Sequence, residues 1–383
     1  MAHNNTVFSQ LLKLVPRHEF ETLANQHHDG RKLRKMTRWS QFVAMATAQL
    51  SGRASLRDVV SNLSAQTAKL YHLGAGLVSR SSLARINEQQ PYTLYEQLAG
   101  KLLGQCQARA PRHGFRFKNK LYSLDASTID LCLSVFPWAR FRTTKGAVKL
   151  HVGLDHDGML PTFLSITNGR THDITAARAL QLPKSSIVVM DRGYTDYAWY
   201  NQLNSKGIFF VTRLRKNARY RVIERRSVRK FKGLTSDQTI ALTGAKASNC
   251  QIPLRRIGCR DAETGIHYYF LTNNFKLAAS TIAEIYKARW QIELFFKWLK
   301  QNLKIKSFLG TSRNAVMTQI WIAICVYLLL AYLKFASRID RSMQQILRLL
   351  QLNLFDRRDL RGLLVGDPPE PLIPQFQTRL QFS

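Results

Sequence analysis

Acidic residues are scarce in this chain. Against 57 Lys and Arg stand 24 Asp and Glu in 383 residues, a formal net charge of +33. Cysteine is sparse as well. Cys106, Cys132, Cys250, Cys259 and Cys325 are odd in number and scattered, with no CxxC and no Cys/His pair at zinc-ligand spacing. A disulfide framework and a zinc module are therefore both disfavoured, and reduced structural cysteines are expected. Long apolar runs are missing too. Ile320–Leu333 is fourteen apolar residues ending at Lys334, short of the roughly 18–20 that span a bilayer, and it reads as a buried core helix. The opening MAHNNTVFSQ lacks the basic-then-apolar pattern of an export signal, so a cytoplasmic protein without a membrane partner is expected. No internal repeat is present.

What the chain does have is apolar substance. Hydrophobic residues make up 45% and aromatics 10%, which excludes the low-complexity basic tail that such a charge would otherwise suggest. At about 150 residues per domain, two or three domains are expected. A folded chain this basic has a polyanion as its default partner. Nucleic acid is the commonest, and an anionic membrane surface is the competitor.

Residues 1–117 read as helical and carry 16 basic against 6 acidic residues. Trp39–Leu50 is Ala-rich and stops at Ser51-Gly52, while Ser55 and Ser79 stand where N-caps belong. A basic short-helix segment ahead of a larger domain suggests a DNA-binding module, with 77–86 as a candidate recognition helix. A purely structural helix pair is the competing reading. From Lys118 the period changes to that of strands, at 121–125, 148–154, 160–166, 187–191 and 208–212, with a hairpin turn at Asp155–Gly158 and a helix over Ile174–Leu182. The order implies a mixed α/β sheet with flanking helices. Residues of about 215–265 interrupt it with short β-prone pieces, and Arg213–Lys232 holds ten basic residues and one acid. A strand at 267–271, a long helix over 278–303, another helix to about 352 and a Pro-rich tail complete the chain. The expected division is 1–117, 118–345 with the insertion inside it, and 346–383.

In so basic a sequence, an acid set in apolar surroundings needs a reason. Asp125 closes Leu121–Leu124 and Asp191 closes Ile187–Met190. Functional groups of open α/β sheets gather at the carboxyl ends of strands, although an isolated Asp there is also a common turn residue. Two at one sheet edge repel each other unless a cation lies between them. Asp173 has a sufficient explanation as an N-cap. A third acid lies in a helical stretch, where Tyr286, Arg289, Glu293 and Lys300 have offsets 0, 3, 7 and 14. At about 100° per residue they fall within roughly 60° on one face, which Lys297 and Trp290 extend. Ordinary i, i+4 pairs on a solvated face are the plain reading. A carboxylate flanked by cations and aromatics also suits a metal ligand held among DNA phosphates.

The spacing Tyr-x2-Arg-x3-Glu-x6-Lys resembles the signature of the insertion-sequence-four family of bacterial DDE transposases. Asp125 and Asp191 stand where that family's first two catalytic aspartates belong, and Asp191-Arg192-Gly193-Tyr194 is similar to its motif around the second. Gaps of 66 and 102 residues separate Asp125, Asp191 and Glu293, the larger one holding a β-rich insertion. The resemblance covers about 118–345. It implies an RNase H-like catalytic domain in which Asp125, Asp191 and Glu293 bind two Mg2+ ions, with Mn2+ as a substitute. Arg289, Lys300, Lys297 and Lys149 would touch phosphate, as would Tyr286 or by stacking; Lys145 and His151 are further candidates. The implied partners are double-stranded DNA, as transposon ends and target, and a second copy of the chain on that DNA. The implied activity is metal-dependent strand cleavage and strand transfer in a bacterial, nucleoid-associated protein. The alternatives are a nuclease on the same scaffold, or a non-enzymatic DNA-binding descendant of a transposase.

Overall fold

Ile187–Met190 and Leu121–Leu124 are almost continuously apolar, and strands of that kind require cover on both faces. They are the paired centre of the fold, hydrogen-bonded in parallel from Leu121↔Ile187 to Leu124↔Met190, with every one of these residues but Tyr122 at 2% exposure or less. The computed structural model describes residues 5–366 except 32, 34–35, 141–144, 229–232 and 246. The Pro-rich tail and the end of the basic run before Gly233 lie outside the described residues.

The strands are β1 (Leu121–Leu131), β2 (Gly146–Asp155), β3 (Leu160–Asn168), β4 (Ile187–Met190), β5 (Phe209–Arg213), β6 (Tyr220–Arg226), β7 (Leu234–Leu242), β8 (Leu254–Arg260) and β9 (His267–Thr272). They form one nine-stranded sheet in the order β3-β2-β1-β4-β5-β9-β8-β7-β6. β1, β4 and β5 are parallel; every other neighbour is antiparallel. This is a mixed, RNase H-like sheet. The insertion expected at about 215–265 is β-rich and continues the sheet, because β9 pairs with both β5 and β8 and leads onward to β7 and β6.

Among the described residues, fourteen helices accompany the sheet. Seven precede it: α1 (Val7–Leu12), α2 (Arg17–Gln26), α3 (Arg38–Leu50), α4 (Leu56–Ala65), α5 (Thr67–Leu70), α6 (Arg80–Gln89) and α7 (Thr93–Gln107). Ser55 and Ser79 cap α4 and α6 through their hydroxyls, as their positions predicted. Within the sheet region lie α8 (Asp173–Arg178), α9 (Tyr197–Ser205), α10 (Ala279–Ala288) and α11 (Gln291–Asn302). The chain continues through α12 (Arg313–Ser337), α13 (Met343–Asn353) and α14 (Leu360–Val365).

The expected helix over 278–303 is two helices. At Arg289 and Trp290 the backbone tightens to i→i−3 bonds, Arg289 N–H to Tyr286 O and Trp290 N–H to Lys287 O, and the axis restarts at Gln291. The 100° arithmetic assumed an unbroken helix, so it no longer relates Glu293 to Tyr286. The Tyr286 ring packs 4.8 Å from Phe270 of β9.

The apolar run at 320–333 sits inside α12, which is apolar all round and therefore needs burial on all sides. By length and composition it could cross a membrane, yet 94% of its most apolar window is buried inside the protein. It packs on α3, α6 and α7, and one apolar core runs from the N-terminal helices through α12 to β1, β2 and β3. Buried amides bind these parts together. Asn314 donates to Asn87 O and Gln90 O, and Gln41 donates to Asn87 Oδ1. Gln319 donates to Lys304 O and Ser307 O and accepts from Leu309 N–H, while Gln49 of α3 accepts from Lys304 N–H. The segment after α11 is thereby clamped from two sides.

Removing a side chain that bonds three part-buried backbone groups takes that partner from all of them. Gln319→Ala is expected to lower stability by about 2–4 kcal/mol, read as a fall in urea midpoint at unchanged m-value. An unchanged midpoint would mean the segment holds without this amide.

Candidate active site

Asp125 was expected to close its strand, yet β1 continues to Leu131. β2 goes on pairing with β1 after β4 has stopped at Met190. Beyond the Leu124↔Met190 pair, the two chains therefore present Asp125 and Asp191 from adjacent strands. Asp125 accepts a hydrogen bond from Ala126 N–H at 2.8 Å. After Asp191 the chain enters a 3-10 turn, Arg192–Tyr194, and Asp191 Oδ1 accepts Gly193 N–H at 2.8 Å. A Cβ on Gly193 would stand 2.8 Å from that same oxygen, so the turn that orients the carboxylate has room only for glycine.

Glu293 comes from the first turn of α11, whose Ile292, Phe295, Phe296 and Leu299 are buried and dock the helix across β1. Between the acids lies Arg289. Its Nη2 is 2.7 Å from Glu293 Oε1 and its Nη1 is 3.9 Å from Asp125 Oδ2, while its Nε is buried without a partner. Burial pushes the Asp125 carboxyl from 3.8 up to about 6. Ala126 N–H and Arg289 oppose the rise, and the charges of Asp191 and Glu293 add to it. Asp125 thus feels both other acids, and one guanidinium is the counter-charge shared by Asp125 and Glu293.

The donor set, carboxylate oxygens only, suits a hard divalent cation such as Mg2+. Among the described residues, no three His, Cys, Asp or Glu side chains stand close enough together to hold an ion. The fit lies in the kind of ligand and the surplus of negative charge, part of which Arg289 now balances.

Comparison with known proteins bears on the same residues. The family described as Transposase DDE domain matches 116–329, more than half of the chain and the stretch that carries all three acids. The chain belongs to the DDE transposase family. A protein of Sinorhizobium fredii named as transposase y4zB is 34% identical over 77% of this chain and 82% of its own length. One named for insertion sequence element IS5377 of Geobacillus stearothermophilus is 28% identical over 75% and 74%. A third, named for element IS4SA in Synechocystis, is 27% identical over 53% and 58%. A domain of unknown function, DUF4372, matches residues 3–76, within the N-terminal helices.

The remaining candidates divide by what they touch in this DDE transposase fold. Tyr286 is half-buried, its phenol pushed up by burial, and the Arg289 guanidinium lies 5.8 Å over its ring. Trp290 is 56% exposed beside the acids. Lys300 donates to Thr128 O of β1 at 2.9 Å, and burial together with Lys306 lowers its ammonium. Lys297 and Lys145 are exposed. Lys149 pairs with Asp173 at 2.6 Å, and His151, 2% exposed, lies 3.5 Å from the same carboxylate. Asp173 is not the N-cap it was expected to be. His172 takes that position, and the Asp173 carboxylate turns to Lys149 instead.

Two features escaped the sequence reading. Tyr194 is buried near the charges of Asp173, Asp125 and Asp191, which add to burial in raising its phenol. Arg192, Arg215, Lys216 and Asn217 line a cleft of about 440 Å³ with Asp191. Arg215 and Lys216 belong to the basic run, but only the β4–β5 pairing brings them to the second aspartate.

A carboxyl raised by burial binds its proton more tightly folded than unfolded. Its stabilising share is therefore full below about pH 4 and lost as pH rises through about 6. Asp125→Asn is accordingly expected to stabilise the metal-free protein at pH 7.5 by up to about 3 kcal/mol, with no gain at pH 4. Urea titrations at the two pH values measure this. Equal stability at both would contradict the burial of a charged Asp125.

Proposed function

We propose that this chain is an active DNA transposase, in which Asp125, Asp191 and Glu293 are the catalytic carboxylates. It binds the ends of its element, cuts there, and joins the freed 3′-hydroxyl to target DNA. The observation that carries this reading is the sharing of Arg289 by Asp125 and Glu293, with the charge of Asp191 felt at Asp125, in a chain otherwise dominated by positive charge. The Tyr286, Arg289, Glu293 and Lys300 spacing of the insertion-sequence-four signature supports it.

Two Mg2+ ions held by the carboxylates would supply Lewis acidity at the attacking and leaving oxygens of an in-line displacement at phosphorus. The chain's own groups do the rest. Asp125, whose charged form is penalised by burial, gains from any positive charge that arrives beside it. Arg289 is placed to exchange its carboxylate partners for a DNA phosphate, a bidentate contact suited to a guanidinium. Lys300 anchors α11 to β1 from one side, so Glu293 is held on a fixed support. Trp290, exposed beside the acids, offers a face on which a base can stack. Lys297 adds charge along the same helix, and two copies of the chain hold the two ends of the element.

Glu293→Ala is expected to abolish cleavage of a duplex carrying the element's terminal sequence while leaving its binding within about threefold. Retained Mg2+-dependent cleavage would remove Glu293 from the mechanism. Cleavage by the parent without joining of a 3′-hydroxyl end to a second duplex would reduce the protein to a nuclease. Binding should also weaken steeply with salt, roughly 0.9 log units per log unit of salt for each phosphate neutralised. A flat dependence would contradict DNA binding through these cations.

A further inference from the structure

The sheet extension ends in a second basic cleft. Because β4 and β5 are parallel while β9, β8, β7 and β6 alternate, one edge of the sheet carries the carboxyl ends of β4, β5, β8 and β6. Asp191 lies on that edge. So does a cleft of about 600 Å³, lined by Arg225 at the end of β6, Arg260 at the end of β8, and Thr235, Ser236 and Gln238 of β7.

Its chemistry is that of an anion site, with guanidinium groups and hydroxyls set beside two apolar neighbours, Val228 and Leu234. A Cβ on Gly258 would stand 2.5 Å from both Ser236 Oγ and Thr235 Oγ1, so the missing side chain lets two hydroxyls converge there. Gly233 has φ +74°, and a Cβ on it would meet Arg260 O at 2.2 Å, so the rim too depends on glycine. The carboxylate in the cleft, Asp237, is already neutralised by Arg255 at 2.7 and 2.9 Å and by Arg226 at 3.4 Å. Arg225 and Arg260 are exposed, and among the described residues neither is ion-paired.

Neighbouring strands lie about 4.8 Å apart, so four or five strand steps put the cleft roughly 19–24 Å from Asp191. At about 3.4 Å per nucleotide of a duplex strand, that is six or seven base pairs. We propose that this cleft grips the phosphate backbone of the same duplex whose end lies at Asp125, Asp191 and Glu293, six or seven base pairs from the cut. The inference rests on the active site proposed above. Because active site and cleft share one hydrogen-bonded sheet, the distance between cut and grip is set by strand count.

The test uses the full-length protein and a fluorescent 40-base-pair duplex carrying the terminal sequence that flanks its gene. Arg225→Ala/Arg260→Ala should make the log–log salt dependence of binding shallower by about 1.8, the release for two phosphates, and weaken binding at least tenfold at 0.1 M salt. Arg225→Lys/Arg260→Lys should restore the slope. Phosphate-ethylation interference six or seven base pairs from the cut should disappear in the Ala variant only. An unchanged slope, or interference lost elsewhere on the end duplex or on target DNA alone, would overturn the proposal. Mg2+-dependent cleavage by the parent is scored in parallel. If the parent does not cleave, the catalytic reading fails, while the slope and the interference pattern still decide the cleft.

Discussion

Parallel pairing of β1 with β4 brings two carboxylates side by side at a partly buried position, and like charges there raise each other's free energy. The neighbourhood answers that cost. Ala126 and Gly193 offer backbone N–H groups to one acid each, and Arg289 brings a guanidinium to Asp125 and Glu293. None of these contacts comes from the same element as the acid's strand partner. The site is a place where strand pairing creates an electrostatic strain that turns, helix and counter-ion then relieve. A site relieved in this way, rather than by burial of neutral groups, remains able to exchange its counter-charge for another.

Support for that arrangement comes from far along the chain. α11 carries Glu293 and is followed by Lys304–Leu309, which Gln49 of α3 and Gln319 of α12 hold through main-chain contacts. The N-terminal helices and α12 share a core with the outer strands β2 and β3. The region matched by DUF4372 is thus packed against the part of the molecule that steadies the third acid. Apolar side chains and amides in its interior both reach the catalytic half.

Much of this was legible beforehand because it is local. Apolar runs of four or five residues ending in Asp marked β1 and β4, and Ser at helix starts marked α4 and α6. Fourteen apolar residues ending in Lys334 marked the middle of α12. What stayed hidden depends on partners distant in sequence. β1 runs past Asp125 because β2 is there to pair with it. The insertion extends the sheet because β9 offers an edge to each of two strands. Asp173 abandons capping because Lys149 and His151 of β2 lie within reach. A periodicity argument sees one segment at a time and is blind to such rivals.

The break at Arg289 and Trp290 changes what the spacing of the signature residues means. α10 is rooted in one apolar cluster, through Ile282 and Ile285, and α11 in another, through Ile292, Phe295, Phe296 and Leu299. Tyr286 belongs to the first and Glu293 to the second, with the arginine at the crossing. The seven-residue step from tyrosine to glutamate then measures a bridge between two cores rather than two turns of a helical face. One residue more or fewer at that bridge would leave both helices intact and well packed, and would still turn the guanidinium away from the acids it balances.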